Sequence, residues 1–246
     1  MRNRKKKNGK SRLTNLSSLI ISPETVESGT IGTLYPTDRP MRLEIGCGKG
    51  DFITGISEKE PDFNYIAVER IPDVALIAIE KYAGKKGLGK LGDHGEWICP
   101  DGTALKGEEW DVPCEMRGNV RFFIGAAESF LPYAPSSSFD SVYANFSDPW
   151  PKKGYVGRRL SNPGYLKEYK RILGPGGRLN LKTDNDGLFD YSIESLEAEG
   201  WKIIFLTRDL HSAETPEEIR AANVVTEYES RFIEQGIKIK ALIAEP

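Results

Sequence analysis

From about Met41 to the C-terminus, short apolar runs alternate with stretches whose apolar residues recur at helical spacing. The runs Arg42–Ile45, Tyr65–Glu69, Val120–Gly125, Ser141–Phe146, Arg178–Lys182, Trp201–Thr207 and Ile237–Ile243 are bounded by Gly, Pro or Asp and read as strands. Between them, Phe52–Ser57, Asp73–Lys81, Gly164–Leu173 and Leu188–Ala198 read as helices, with Pro72 and Pro163 where a first turn tolerates proline. Strands that alternate with helices predict right-handed crossovers and an α/β fold, a doubly wound, mostly parallel sheet covered on both faces. The long connection before Ile237–Ile243 predicts an antiparallel last strand. Residues 1–40 read as a basic arm and lead-in, and residues 41–246 as one domain. Within that domain, Gly84–Gly118 holds eight glycines, with Trp97 and Trp110 among acids, and reads as a long inserted loop or lid.

Composition supports a single sizeable core, with 39% hydrophobic and 28% charged residues. The charge balance, 34 basic against 36 acidic residues, gives by itself no sign of a polyanionic partner. Its distribution changes that picture. The first twelve residues hold seven bases and no acid, and Lys152–Lys182 holds nine bases against Glu168 alone, which leaves a net charge of -17 on the other 203 residues. A charge run is ordinarily a solvated face, so the basic stretch needs a neighbouring site before it means more. Cys47, Cys99 and Cys114 form no C-x-x-C pair and His94 and His211 are the only histidines, so no metal is expected and a reducing compartment is. No window approaches eighteen apolar residues, and the head is Lys-rich where organellar transit peptides favour Arg and Ser. A soluble, cytoplasmic protein with no membrane partner is expected, as a monomer or a homodimer.

Ligands of open α/β sheets sit beyond the carboxyl ends of the strands. The first strand runs into Glu44-Ile45-Gly46-Cys47-Gly48-Lys49-Gly50. A G-x-G-x-G is common by chance at this glycine content, but here it lies directly between a strand and a helix, where glycines let backbone approach a ligand. A dinucleotide needs G-x-G-x-x-G with its pyrophosphate at the helix N-terminus, where Asp51 would repel it. Glu44 before the glycines suits instead a ligand with a cationic amino-acid end, which S-adenosylmethionine has. Glu69, nineteen residues after Gly50 at the end of the second strand, can accept both hydroxyls of a ribose. For Glu69 alone, an exposed strand-end acid is an equally good reading.

The fourth strand ends in Asn145-Phe146-Ser147-Asp148-Pro149-Trp150-Pro151-Lys152-Lys153. Prolines around a tryptophan hold this loop out of helix. Asp148 falls at the same sheet edge as Glu44 and Glu69 and can accept hydrogen bonds from a base edge. Trp150 either stacks on a base or packs under its own loop. Lys152, Lys153, Arg158 and Arg159 lead outward from the same spot, the arrangement phosphates would use.

With these segments in place, the chain resembles the bacterial-type tRNA (guanine-N7-)-methyltransferases: RLEIGCGKGDF, NYIAVER, NFSDPWPKK followed by RRL, KTDN and TEYESRF occur in that order. The resemblance implies a Rossmann-like methyltransferase sheet, S-adenosylmethionine as cofactor and N7 of a guanosine in the tRNA variable loop as methyl acceptor. It implies that Glu44, Gly46, Gly48, Gly50, Glu69, Ala126 and Asp148 border the cofactor, with Asp148 as the active-site acid. Lys152, Asp184, Thr226, Glu227, Tyr228 and Glu229 would contact substrate, and Gly154, Tyr155, Val156, Gly157, Arg158 and Arg159 would meet RNA. The chain departs from the family where Ala126-Ala127 replaces the usual Asp-Ala, where Gly154-Tyr155 replaces a common Arg-His, and in the length of Gly84–Gly118. Glu128 or a backbone amide would stand in for the missing acid.

Simpler readings exist for two of these segments. Thr183, Asp184 and Asn185 are helix N-cap types before Leu188, and Thr226-x-x-Glu229 has the form of a capping box. Two rival functions also fit: methylation of an exocyclic amino group, since Ser147-Asp148-Pro149-Trp150 partly resembles a D-P-P-Y motif, and RNA binding without catalysis, which Ala126 leaves open.

Overall fold

The computed structural model describes residues 6–246. In chain order its elements begin with α1 (Gly9–Asn15), α2 (Pro23–Glu27), β1 (Met41–Ile45), α3 (Asp51–Lys59), β2 (Asn64–Glu69) and α4 (Pro72–Lys85). The short strands β3 (Lys90–Leu91), β4 (Trp97–Ile98) and β5 (Ala104–Leu105) follow, then β6 (Val120–Ile124), α5 (Ala127–Phe130) and β7 (Phe139–Asn145). The rest comprises α6 (Pro163–Ile172), β8 (Leu173–Thr183), α7 (Asp186–Ala198), β9 (Lys202–Thr207), α8 (Glu217–Ala222), α9 (Glu227–Glu234) and β10 (Lys240–Glu245). Seven strands form one sheet in the order β6-β2-β1-β7-β8-β10-β9. β2 pairs with β6 and β7 with β8 in parallel, whereas β10 is antiparallel to both β8 and β9. The expected antiparallel last strand is therefore present, and it lies inside the sheet with β9 at the edge. Among the described residues no helix is long and apolar enough to cross a membrane.

The described residues fall into two compact units, the first reaching Met41 and resuming at Gly46–Ala134, the second formed by Arg42–Ile45 and Pro135–Pro246. In the first, α4 buries Ala75, Leu76, Ala78, Ile79, Tyr82 and Ala83, the stripe a period of 3.6 residues dictates. Tyr82 meets Phe122 of β6 edge-on. Arg2, Arg4 and Lys5 of the basic head lie outside the described residues, but from Gly9 onward the head is folded. Arg12 Nε and Nη2 grip the two carboxylate oxygens of Glu80 on α4 at 2.8 and 2.6 Å, a bidentate pair that fixes α1 as well as neutralising it. Asn15 donates to Leu105 O and accepts from Gly107 N, and Ile20 pairs in parallel with Phe122.

The Gly84–Gly118 segment is likewise folded, as the antiparallel sheet β3-β4-β5 around Trp97, whose indole N–H donates to Leu88 O at 2.9 Å. Two-residue strands are too short to leave an alternation in the sequence, which is why this segment reads as a loop.

In the second unit, Asn162 caps α6 ahead of Pro163, and Asn185 caps α7 by accepting from Leu188 N at 2.8 Å. Leu166, Tyr169, Leu179, Leu181, Phe189 and Leu196 are buried. A smaller cluster of Leu210, Ile239 and Ala241 supports Phe146, Phe205 and Phe232, and so ties the loop after β7 to the packing of α9.

Candidate active site

In the first unit the loops after three strand ends are hydrogen-bonded to one another. Gly46 N and Cys47 N both donate to Val68 O, at 2.8 and 3.0 Å, so the glycine loop is pinned to β2. Gly46 and Gly48 have φ of +78° and +56°, and a Cβ on either would meet nothing within 4 Å, so the loop lines open space. Gly50 is needed for packing: at φ +79° its Cβ would lie 2.7 Å from Ala78 Cβ, too close for any side chain between loop and α4. The Glu69 carboxylate accepts from Gly48 N at 3.1 Å and from Ile71 N at 2.8 Å, one bond per oxygen. Each oxygen keeps acceptor capacity for a further donor. Glu69 O also accepts from Gly125 N at 3.0 Å, which brings the Ala126 turn beside it. Ala126 stands at the N-cap of α5 with no side-chain cap, and Glu128 is exposed on the first turn.

In the second unit, Glu44 is 2% exposed and its Oε1 accepts from Asn145 Nδ2 at 3.2 Å. Asn145 is the last residue of β7, and after it the chain enters strained geometry. Phe146 and Trp150 have φ of +50° and +42°, conformations that cost large L-residues of order 1–3 kcal/mol each and that gather at functional sites. Between them Asp148 is exposed. Arg159 holds the far side of this loop, donating from Nε to Pro149 O at 2.9 Å and from Nη2 to Trp150 O at 3.2 Å, while its guanidinium lies over Tyr191. Arg159 is thus a strut of the loop rather than a projecting cation.

The KTDN and TEYE segments converge on the same loop. Phe146 N donates to Lys182 O, and the Phe146 ring packs against Tyr228 and Phe232. Tyr228 is half exposed, and its hydroxyl pKa is raised above the usual phenol value by burial, then by the charges of Asp184 and Asp148. Both carboxylates thus act on the same hydroxyl. Thr226 Oγ1 accepts from Glu229 N at 3.1 Å, the bond of a capping box, and Glu227 pairs with Arg231 on the outside of α9. Glu229 turns inward and is 0% exposed.

The basic stretch is smaller at the surface than it is in sequence. Lys182 is buried against Glu229, Arg171 pairs with Glu168 and Arg178 with Glu245. Lys152, Lys153 and Arg158 are exposed and have no carboxylate partner among the described residues. The Arg158 guanidinium lies 5.0 Å from the Trp150 ring and 4.8 Å from that of Tyr155, so cation and aromatic surface are displayed together. Trp150 therefore packs with its own loop and keeps part of its surface open. Sequence reasoning missed Asn145, Phe146, His211 and Asn223, which act by contact with charged neighbours. Asn145 and Phe146 open the NFSDPWPKK segment but received no role there, His211 and Asn223 lie in no motif, and of the four only Phe146 has a left-handed backbone.

Solved structures share this fold. One described as an antibiotic-related methyltransferase superposes with a TM-score of 0.53 at 14% identity, covering 94% of this chain and 97% of that one. The 16S rRNA methyltransferase KamB gives 0.52 at 14% identity, covering 89% and 90%. The chain has a methyltransferase fold, and a family profile described as a putative methyltransferase matches residues 38–242. The tRNA (guanine-N(7)-)-methyltransferase of Bacillus licheniformis is 33% identical over 229 residues, 93% of this chain and 91% of that one. That of Lactococcus lactis subsp. cremoris is 33% identical over 245 residues, covering 100% and 98%, and that of Lactobacillus gasseri 37% over 206 residues, covering 84% and 80%. The chain belongs to the tRNA (guanine-N(7)-)-methyltransferase family.

Proposed function

We propose that this enzyme transfers a methyl group from S-adenosylmethionine to N7 of a guanosine in the variable loop of tRNA. The observation that carries the proposal is Asp148, exposed between two strained residues, acting with Asp184 on the Tyr228 hydroxyl, and followed by the uncompensated cations Lys152, Lys153 and Arg158.

The residues present fit the cofactor. Gly46 and Gly48 border open space that a Cβ would enter, and Glu69 is held by two backbone N–H groups with acceptor capacity left for ribose hydroxyls. Glu44, buried and oriented by Asn145, suits an ammonium group. When bound, S-adenosylmethionine supplies an electrophilic methyl group on its sulfonium.

Guanine N7 already presents a lone pair, so this chain has no proton to remove there. Its contribution is alignment in a shielded site, positioning of the kind worth about 7–11 kcal/mol of barrier. Asp148 accepts from the N1–H and N2–H edge of guanine, and its charge stabilises the cationic ring that forms as N7 is methylated. Asp184 and Tyr228 border the same base, Lys152 and Lys153 meet phosphates, and Gly154–Arg159 meets RNA, with Arg158 and Tyr155 offering a stacking face and Arg159 bracing the loop behind them. The protein acts in the cytoplasm on this reading.

Nucleoside mass spectrometry of tRNA incubated with enzyme and cofactor tests the proposal. 7-Methylguanosine is expected, and a different methylated base in its place would favour the amino-group alternative. Asp148→Ala is expected to lower turnover by about 10²–10³-fold while cofactor affinity changes little. Near-normal turnover would remove Asp148 from the mechanism.

A further inference from the structure

In the second unit one buried carboxylate, that of Glu229, gathers a lysine, an asparagine and a histidine. Glu229 Oε1 accepts from Asn223 Nδ2 and faces His211 Nε2, both at 2.8 Å, and Oε2 accepts from Lys182 Nζ at 2.8 Å. A carboxylate can only accept, so His211 carries its proton on Nε2. Lys182 Nζ also donates to Asn223 Oδ1 at 2.7 Å and to Val224 O at 3.2 Å. The Lys182 side chain is 9% exposed and that of Glu229 0%. Burial lowers the lysine pKa, and the charges of Glu229 and Glu44 oppose that shift. The pair thus joins β8 to the start of α9 in the interior, with Glu229 itself fully enclosed.

Lys182 is also bound to the strained loop. It stands opposite Asn145 in the β7–β8 register, its carbonyl receives Phe146 N at 2.8 Å, and its ammonium lies 5.5 Å from the Phe146 ring. Phe146 holds φ +50° two residues before Asp148. We infer that Glu229 serves the reaction through Lys182, as a positioning residue that fixes Phe146 and with it Asp148, and that it does not touch substrate. This rests on the proposed role of Asp148.

The test compares wild type with Glu229→Gln, Lys182→Met and the double variant in the full-length enzyme. Each single change leaves one charge of the buried pair without its ionic partner, whereas the double variant removes both charges of the pair. Each single variant is expected to lose about tenfold or more in kcat while KM for tRNA stays within about threefold, and the double variant to regain most of the loss. If a single variant does not fold, the double variant decides by its KM alone: within about threefold of wild type supports the inference, and a tenfold rise overturns it. A raised KM in Glu229→Gln with no recovery in the double variant would likewise make Glu229 a substrate contact. Amide hydrogen exchange across residues 146–150 supplies a readout independent of activity. It is expected to quicken in the single variants and return in the double variant, and unchanged exchange overturns the inference. Wild-type enzyme that methylates no tRNA would sink the proposed function, and exchange would still judge the role of Glu229.

Discussion

The ring of Tyr228 meets that of Phe146 edge-on with 5.3 Å between centroids, and this contact stands the Tyr228 hydroxyl in the field of Asp148 and Asp184. Burial raises its pKa above the ordinary 10.0, and the two carboxylates raise it further. The unfolded chain then loses this proton first, so the native state is unaffected well below pH 10 and is destabilised as pH rises past it. Titration of phenolate absorbance, wild type minus Tyr228→Phe, should place the Tyr228 transition above that of free tyrosine. Asp148→Asn and Asp184→Asn should each move the transition down. A transition that neither change moves would separate Tyr228 from the proposed site.

What the sequence disclosed of this arrangement was the placement of charge at strand ends. The order of the seven strands of the main sheet along the chain, with α3, α4, α6 and α7 between them, and the positions of Glu44, Glu69 and Asp148 follow from periodicity and from where apolar runs stop, and the antiparallel β10 from the long connection before it. The fate of individual bases does not. Lys182 lies in Leu179-Asn180-Leu181-Lys182, which reads as a strand with a projecting cation, yet its ammonium is buried on a glutamate 47 residues further on. Arg12 and Arg159 are alike in this: each counts as a free charge until its partner, Glu80 or the Pro149 carbonyl, is known. Long-range pairing leaves no local pattern. The capping readings of Asn185 and Thr226 were legible because a cap acts within one turn.

Gly50 ties the glycine loop to α4, and its replacement tests that close approach. Gly50→Ala places a Cβ 2.7 Å from Ala78 Cβ and holds an L-residue at φ +79°, at a combined cost of about 2–5 kcal/mol. Urea denaturation should register it. Adding Ala78→Gly should restore only part of the packing share, because the Ala78 Cα also lies 2.8 Å from that Cβ, and should leave the backbone share. A loss below about 1 kcal/mol would show that loop and helix separate readily.

Ala126 occupies the N-cap of α5 without a capping side chain. Ala126→Asp and Ala126→Ser should both cap the helix, raising stability by about 0.5–2 kcal/mol. Only the aspartate adds a carboxylate where the family usually has one. Calorimetry should therefore show tighter binding of S-adenosylhomocysteine to Ala126→Asp by about fivefold, one hydrogen bond's worth, and unchanged binding to Ala126→Ser. Equal affinities would place that cofactor contact elsewhere.

The near-neutral total of charges conceals a small set of cations available to RNA, and salt dependence can count them. Removing one cation that meets a phosphate should make the plot of log affinity against log salt shallower by about 0.7–0.9. Lys152→Gln with Lys153→Gln should reduce the slope by about 1.4–1.8, because neither lysine has a carboxylate partner among the described residues. Arg171→Gln should leave it unchanged, because Glu168 already neutralises that guanidinium. In the head, Lys7→Gln with Lys10→Gln should act on the slope, since both lysines are exposed. Arg12→Gln should act on stability instead, since Arg12 spends its charge on Glu80 with only 11% of its side chain accessible. A slope that follows Arg171 or Arg12 as strongly as Lys152 and Lys153 would mean that RNA reads the summed charge of the protein and not this local set.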